Sequence, residues 1–99
     1  MQRGEVWAFE PKGPRGRRHV VIVSGSGINA DGRRPWLLAV ELVDADPHDL
    51  LAVPVPEHGW ADASTIVRAY RRWLVEPVGQ LDAETLGRVD VALRAALDL

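Results

Sequence analysis

The amino-acid sequence predicts an α+β fold, mainly β with α, in which a small five-stranded, barrel-like antiparallel sheet is followed by a C-terminal helix. Apolar, β-branched segments alternate with turns rich in Gly and Pro, and this pattern is typical of short strands. A helical repeat of apolar residues is clear only near the end of the chain. The 99 residues have room for one hydrophobic core, so we expect residues 1–99 to form a single domain.

Five segments have strand character: residues 4–9, 19–24, 36–43, 50–56 and 64–74. The first is apolar on both faces and the second is a continuous β-branched run, which indicates strands covered on both sides. The fourth carries Pro54 and Pro56, which lack the N–H groups of a ladder and so favour a sheet edge. Thr65, Ile66 and Val67 favour a strand over a helix in the fifth segment, which Pro77 and Gly79 end.

The connections and the helix follow from local signals. Residues 11–18, 25–35 and 44–49 predict loops, and residues 57–63 predict a turn or a single helical turn. Asp82 is placed to cap the final helix, with Glu84 in its first turn. Apolar residues then recur at helical spacing on one face: Leu86, Val89, Leu93 and Leu97.

Composition excludes several classes of protein. There is no Cys, so thiolate metal sites and disulfides are not expected, and no segment has the length of a signal peptide or a membrane span. We therefore predict a cytoplasmic protein that does not engage a membrane. Phosphate-binding glycine loops and catalytic zinc motifs are missing, and His19, His48 and His58 are isolated along the chain. No cofactor and no metal are expected.

Charge is segregated along the chain although the formal net charge is only −2. Residues 1–36 carry seven basic and three acidic side chains, a net charge of +4, whereas residues 37–67 carry six acidic side chains and no Lys or Arg. Eleven of the twelve basic residues are Arg, whose planar fork of donors suits phosphate. This pattern indicates a localised anion-binding face, although codon usage that favours Arg is an equally simple cause.

Two arginine clusters are the candidate sites. Residues 15–19 place Arg15, Arg17, Arg18 and His19 at the start of the second strand, where strand alternation sends Arg18 and His19 to opposite faces. In the last strand, alternation puts three further side chains on one face: Arg68, Tyr70 and Arg72. Cations beside an aromatic ring suit single-stranded nucleic acid, although a solvated strand face explains them as well. The four Trp residues are typical of a core or a dimer interface.

Four segments in register resemble the MazF/PemK (Kid) family of toxin ribonucleases: residues 3–7 (RGEVW), 16–24 (GRRHVVIVS), 59–64 (GWADAS) and 89–97 (VDVALRAAL). The resemblance implies a type II toxin–antitoxin system, with metal-independent, sequence-specific cleavage of single-stranded mRNA. It also implies a five-stranded barrel-like sheet, a homodimer, and an antitoxin partner with an acidic C-terminal tail.

Carried over residue by residue, the resemblance places the family's catalytic Arg on Arg18, with His19 where Pro is usual. The family's Thr or Ser at the end of the third strand falls on Val43, which has no hydroxyl group. An Arg-x-Asp motif of the Kid branch matches at Arg68, but Tyr70 replaces its Asp. The usual catalytic set is therefore incomplete in this sequence.

We predict an endoribonuclease that leaves a 2′,3′-cyclic phosphate. Arg18, with Arg17 or Arg68, would stabilise the phosphorane, and His19 or Tyr70 would transfer protons. The remaining cations would bind the RNA backbone: Arg15, Arg17, Arg68 and Arg72. The alternative is a catalytically weak or inactive relative that binds RNA or antitoxin. A gyrase inhibitor similar to CcdB is less favoured, because that family ends in Trp-Gly-Ile and this chain ends Leu97-Asp98-Leu99.

Overall fold

A computed structural model describes all residues from 1 to 99, with six strands and two α-helices. The elements in chain order are β1 (Glu5–Phe9), β2 (Arg18–Ile22), α1 (Ser26–Ala30), β3 (Trp36–Val43), β4 (Ala52–Val55), β5 (Gly59–Tyr70), a 3₁₀ turn (Arg71–Trp73), β6 (Leu74–Gln80) and α2 (Ala83–Leu97). No helix is long and apolar enough to cross a membrane.

The strands form one antiparallel sheet in the order β4-β5-β3-β2-β1-β6. The prediction of a mainly β fold with α is confirmed, and so is the edge position of the proline-containing strand β4. The prediction of five strands in a barrel is only roughly right, because the sheet has six strands and keeps two open edges, β4 and β6.

The sixth strand was not predicted because Pro77 and Gly79 suggested a break. β6 pairs only with β1, so its other side needs no N–H donors and an edge strand accepts Pro77. The pairing shifts register twice along β1, which lets the irregular segment stay in the sheet. Long-range pairing therefore overrides the local turn signals here.

Three further boundaries differ from the sequence prediction. Residues 59–63, expected in a turn, begin the long strand β5, which pairs with both β3 and β4. The segment 64–74 remains a strand only as far as Tyr70, where a 3₁₀ turn begins. A short helix, α1, occupies part of the loop expected over residues 25–35.

Apolar side chains bury both faces of the central strands β2 and β3, as predicted for β2. One face packs under α2 and includes Val21, Val40 and Val89. The other face forms a second core with Val20, Leu37 and other residues that the coiled sheet encloses. Alternate residues of β2 therefore enter different cores, and the strand is fixed in register at the point where its first residues reach the surface.

The predicted cap of the last helix is confirmed. The Asp82 carboxylate accepts a hydrogen bond from the Thr85 backbone N–H at 2.7 Å. This hydrogen bond lowers the pKa of Asp82 below its ordinary value of 3.8, so the cap is weakened as the pH falls below that value. At the other end, Asp98 ends α2 in the left-handed conformation.

The start of β5 depends on a glycine. Gly59 has a φ of +86°, and a Cβ at this position would lie 2.1 Å from the Val43 carbonyl oxygen. Neither the conformation nor the space suits a side chain. Gly59 therefore lets the turn after β4 press against the end of β3, which is where the candidate site begins.

We predict that Gly59→Ala destabilises the protein by about 2–4 kcal/mol, since the new methyl group collides with backbone atoms and strains φ. Gly87→Ala is the matched control, because a Cβ there meets no atom within 4 Å. In the interior of α2 it should stabilise the fold by about 0.5–1 kcal/mol. Urea unfolding measures both, and equal effects of the two substitutions would contradict the role of Gly59.

Candidate functional site

A cavity of about 530 Å³ opens at the end of the sheet where β2 begins and β3 ends. Its lining residues are Arg15, Arg17, Arg18, His19, Leu42, Val43, Asp44 and His58. Most of them are basic or polar, and they come from the loop before β2, from β2 itself, from the end of β3 and from the β4–β5 turn. We call this the arginine cavity.

The centre of this arrangement is the carboxylate of Glu41, which lies on β3 with its side chain only 4% exposed. The Arg18 Nε donates to Glu41 Oε1 at 2.6 Å, and the Arg15 Nη2 donates to Glu41 Oε2 at 3.0 Å. The Arg18 guanidinium also lies over the Phe9 ring, 5.4 Å from its centroid. These contacts hold Arg18 in one orientation at the cavity wall.

Sequence reasoning counted Glu41 only as part of an acidic segment. The available signal was its position, because a carboxylate inside an otherwise apolar strand needs a cationic partner when it is buried. The ion pair gives Arg18 a structural role in addition to its position at the cavity wall. Removal of Arg18 takes away one of the two partners of a buried charge.

Arg17 is engaged by carboxylates on the opposite side from Glu41. It forms ion pairs with Glu76 and Glu10 at N···O distances of 2.5 Å and 3.1 Å. Hydrogen bonds to Glu76 and then to Glu10 raise the pKa of Arg17 above its ordinary value. Arg17 thus ties the loop to β6 and has fewer donors left for a ligand than Arg15, which is largely exposed.

The arginine cavity brings together two histidines that are 39 positions apart in the sequence. The rings of His19 and His58 lie 6.3 Å apart between centroids, at an interplanar angle of 69°. The sequence-based view of these histidines as isolated is wrong for this pair, because the β4–β5 turn returns to the start of β2. No group of three or more His, Cys, Asp or Glu side chains is placed to hold a metal ion.

A second cluster, which we call the aromatic patch, lies at the other end of β3: Trp36, Arg68, Tyr70, Arg72 and Trp73. Arg68 stacks on the Trp36 ring at 4.6 Å, and Arg72 lies 5.8 Å and 5.4 Å from the Tyr70 and Trp73 centroids. The Tyr70 and Trp73 rings are 4.9 Å apart. The strand ends at Tyr70, so the predicted alternation does not extend to Arg72, whose guanidinium reaches the Tyr70 ring from the 3₁₀ turn.

The structure does not bring Tyr70 to the arginine cavity. Tyr70 pairs with Trp36, seven residues along β3 from Val43, or about 24 Å of strand at about 3.4 Å per residue. The residues predicted for one site are thus divided. Arg15, Arg17, Arg18 and His19 meet at the cavity, whereas Arg68, Tyr70 and Arg72 belong to the aromatic patch.

Arg71 has a structural role that the sequence did not indicate. Its guanidinium donates to four backbone carbonyls in the segment before β3, those of Ile28, Asn29, Asp31 and Arg34, at 2.7–3.1 Å. This arginine fastens α1 and the following loop to the 3₁₀ turn. Its donors are used within the chain, unlike those of its neighbour Arg72 at the surface.

These observations define a small antiparallel β protein with an arginine-lined anion cavity at one end of its central strands. Neither a family model nor a curated protein sequence matches this chain at a significant level. Several solved structures with the same fold are, however, described as endoribonucleases or as MazF. The family resemblance carried by the sequence motifs is confirmed at the level of the fold.

Three of these structures illustrate the likeness. An endoribonuclease in complex with its cognate antitoxin from a mycobacterial species superposes with a TM-score of 0.89 at 23% identity, covering 100% of this chain and 96% of the other. MazF in a MazE–MazF crystal structure from Deinococcus radiodurans gives 0.84 at 17% identity, with coverages of 100% and 96%. The Mycobacterium tuberculosis toxin MazF-mt6 gives 0.78 at 12% identity, with 96% and 97%.

We predict that Glu41→Gln lowers the free energy of unfolding by about 2–3 kcal/mol, because Arg18 then faces a buried neutral group. Arg18→Gln should have a similar effect, and the double variant should lose less than the two singles combined, with a coupling of about 1 kcal/mol or more. The exposed Arg88–Glu84 pair is the control, where Glu84→Gln should cost less than about 0.5 kcal/mol. Strict additivity at Glu41 and Arg18 in urea unfolding would contradict the pairing.

Proposed function

We propose that this protein is the toxin of a type II toxin–antitoxin pair, an endoribonuclease that cleaves single-stranded mRNA without a metal ion. The observation that carries the proposal is the arginine cavity, placed on a fold shared with toxin endoribonucleases. Three guanidinium groups in one cavity suit a phosphodiester. An mRNA substrate would imply a cytoplasmic location.

The chemistry follows from the charge that develops during cleavage. When the ribose 2′-OH attacks its own phosphate, the phosphorane carries more negative charge than the ground state. A donor fixed toward that charge is worth about 10²–10³ in rate, and Arg18 is fixed by Glu41 and Phe9 before substrate binds. Arg15, more exposed, would hold the phosphate during approach. The products are a 2′,3′-cyclic phosphate and a free 5′-OH.

The aromatic patch would hold the RNA at a distance from the scissile phosphate. Bases stack on exposed aromatic rings with little sequence dependence, and neighbouring arginines contact the backbone. Trp36 with Arg68, and Tyr70 with Arg72, supply two such pairs. Several nucleotides of an extended strand span the distance between the aromatic patch and the arginine cavity. The two clusters together therefore suit a short single-stranded segment.

The proposed protein partner is an antitoxin with an acidic C-terminal tail. Carboxylates are planar anions that arginine forks bind in the same way as phosphate, so such a tail would compete with RNA at the exposed arginines. One structural neighbour is described in complex with its cognate antitoxin, and another comes from a MazE–MazF structure. The structural similarity to these two proteins supports an antitoxin as the partner.

A non-catalytic binder is the second candidate, and Val43 is the observation that favours it. Val43 lines the arginine cavity at the position where the resemblance implies a hydroxyl group. Loss of one charge-assisted hydrogen bond costs about 1.5–3 kcal/mol, or about 10- to 150-fold in rate. A loss of that size slows cleavage without abolishing it, so we favour a weak enzyme.

We expect the purified protein to cleave single-stranded RNA slowly in the presence of EDTA. Val43→Thr, nearly the same in shape, should raise single-turnover cleavage several-fold, because the new hydroxyl group can donate to the phosphate. Arg18→Lys keeps a positive charge for Glu41 but loses the fork, and should reduce the rate by about 10²-fold or more. Cleavage is measured on a labelled RNA of mixed sequence with analysis of the 3′ end.

A matched control for these variants is Arg94→Lys, an Arg-to-Lys change in the last turn of α2, which should leave the rate unchanged. If neither the wild type nor Val43→Thr cleaves RNA while both bind it, the non-catalytic binder replaces the enzyme. If RNA is not bound and the protein instead inhibits DNA gyrase, the CcdB-like alternative is correct.

We also propose a homodimer. None of the four Trp residues is buried, and Val91, Leu97 and Leu99 of the C-terminal region are exposed apolar side chains. Both sheet edges are open as well. Light scattering at micromolar concentration should therefore give about twice the 10.9 kDa chain mass. A monomer mass under those conditions would contradict the proposed homodimer.

A further inference from the structure

Cleavage by a 2′-OH needs two proton transfers as well as charge stabilisation. A base must take the proton of the attacking hydroxyl, and an acid must give a proton to the departing 5′-oxygen. Arginines do not serve either role near neutral pH, because a guanidinium does not release its proton. The arginine cavity must therefore contain other groups for proton transfer if it acts on RNA.

The carboxylate of Glu41 and the phenol of Tyr70, an earlier candidate, are poorly placed for these roles. Both oxygens of Glu41 already accept hydrogen bonds from arginines, and the side chain is almost entirely buried. Tyr70 lies at the other end of β3. The other titratable residues of the lining are Asp44, His19 and His58, and of these only the imidazoles both accept and donate a proton readily near neutral pH. His19 lies on the Val21 face of β2 and Arg18 on the Val20 face, so the cavity spans the end of the strand.

Resting on the proposed function, we propose that His58 acts with His19 as the acid–base pair of RNA cleavage in the arginine cavity. Imidazole is the side chain best suited to gain and lose a proton between pH 5 and 8. With 6.3 Å between the ring centroids, two hydrogen bonds of about 2.8 Å can reach different oxygens of one phosphodiester. No hydrogen bond within the chain ties either ring.

The turn that carries His58 is built to hold it at this place. Glu57 and Gly59, on either side of His58, have φ values of +70° and +86°, and the His58 backbone N–H donates to the Val55 carbonyl at 3.0 Å. A Cβ on Gly79 of β6 would lie 2.7 Å from His58 Nε2, so a glycine there leaves room for the imidazole. The β4–β5 turn thus fixes the backbone of His58, and Gly79 of β6 leaves space for its ring.

The proton balance is complete with two histidines. One neutral imidazole accepts the 2′-OH proton as the O2′–P bond forms, and the other, protonated, donates to O5′ as the P–O5′ bond breaks. The products are the 2′,3′-cyclic phosphate and the 5′-OH, and the pair ends with its protonation exchanged. Water or buffer restores the starting state, and no oxidant, reductant or metal ion takes part.

The surroundings of the rings contain both signs of charge. The charged groups that face the pair are Arg15, Arg17, Arg18 and Asp44 in the arginine cavity, with Glu57 and Asp82 in the adjacent cavity on the other side of His58. One histidine must be neutral and the other protonated for a turnover. The rate of the wild type should therefore rise and then fall with pH.

The test compares three His-to-Gln variants. His19→Gln and His58→Gln should each lower the single-turnover rate on single-stranded RNA by about 10²–10⁴-fold, with RNA affinity changed less than about threefold. His48→Gln is the control, because His48 is 88% exposed in the acidic loop, and its rate should equal that of the wild type. Each cavity variant should lose one limb of the bell-shaped pH profile that the wild type shows.

A substrate with sulfur in place of the 5′-bridging oxygen separates the two roles, since a thiolate leaves without an acid. It should restore the rate of one cavity variant and not of the other. If the wild type cleaves RNA and His58→Gln is fully active, the histidine pair is wrong and the proposed function stands. The same conclusion follows if the variant loses rate only because it loses RNA binding. Should His58→Gln not fold, a wild-type rate without two pH limbs would overturn the pair. A wild type that never cleaves overturns both proposals.

Discussion

The buried carboxylate of Glu41 is the constraint on which the site depends. It lies on β3, inside the sheet, among buried apolar side chains of β2 and β3. A buried charge in such surroundings requires cationic partners. Arg18 from β2 and Arg15 from the preceding loop satisfy it. The need to neutralise one internal charge therefore attaches a glycine- and proline-rich loop to the end of the sheet and shapes the arginine cavity.

The same ion pairs set the chemical character of the cavity. Glu41 and Phe9 hold Arg18 in place, so the anion binding proposed for it would cost little further side-chain freedom. Arg17, engaged by Glu10 and Glu76, anchors the loop to the edge strand β6. The two arginines of the loop and Arg18 at the start of β2 thus make different contacts.

Separation along β3 gives the protein two distinct surfaces. The strand carries Val43 at the cavity and Trp36 at the aromatic patch, and the rigid ladder between them keeps the distance fixed. For the proposed RNA substrate, this spacing favours an extended single strand over a folded hairpin, because the proposed stacking and phosphate contacts lie at separate points. The spacing is a property of the sheet and not of either cluster alone.

The sequence by itself determined the elements whose signals are local: the β-branched strand β2, the strand β3, the edge position of the Pro54–Pro56 strand and the Asp82-capped helix. Each depends on propensity and periodicity within about a dozen residues. Only the tertiary structure decided the sixth strand, the Glu41 ion pairs, the meeting of His19 with His58 and the removal of Tyr70 from the cavity. These depend on which distant segments pair, and strand pairing buries or juxtaposes side chains that no local pattern connects.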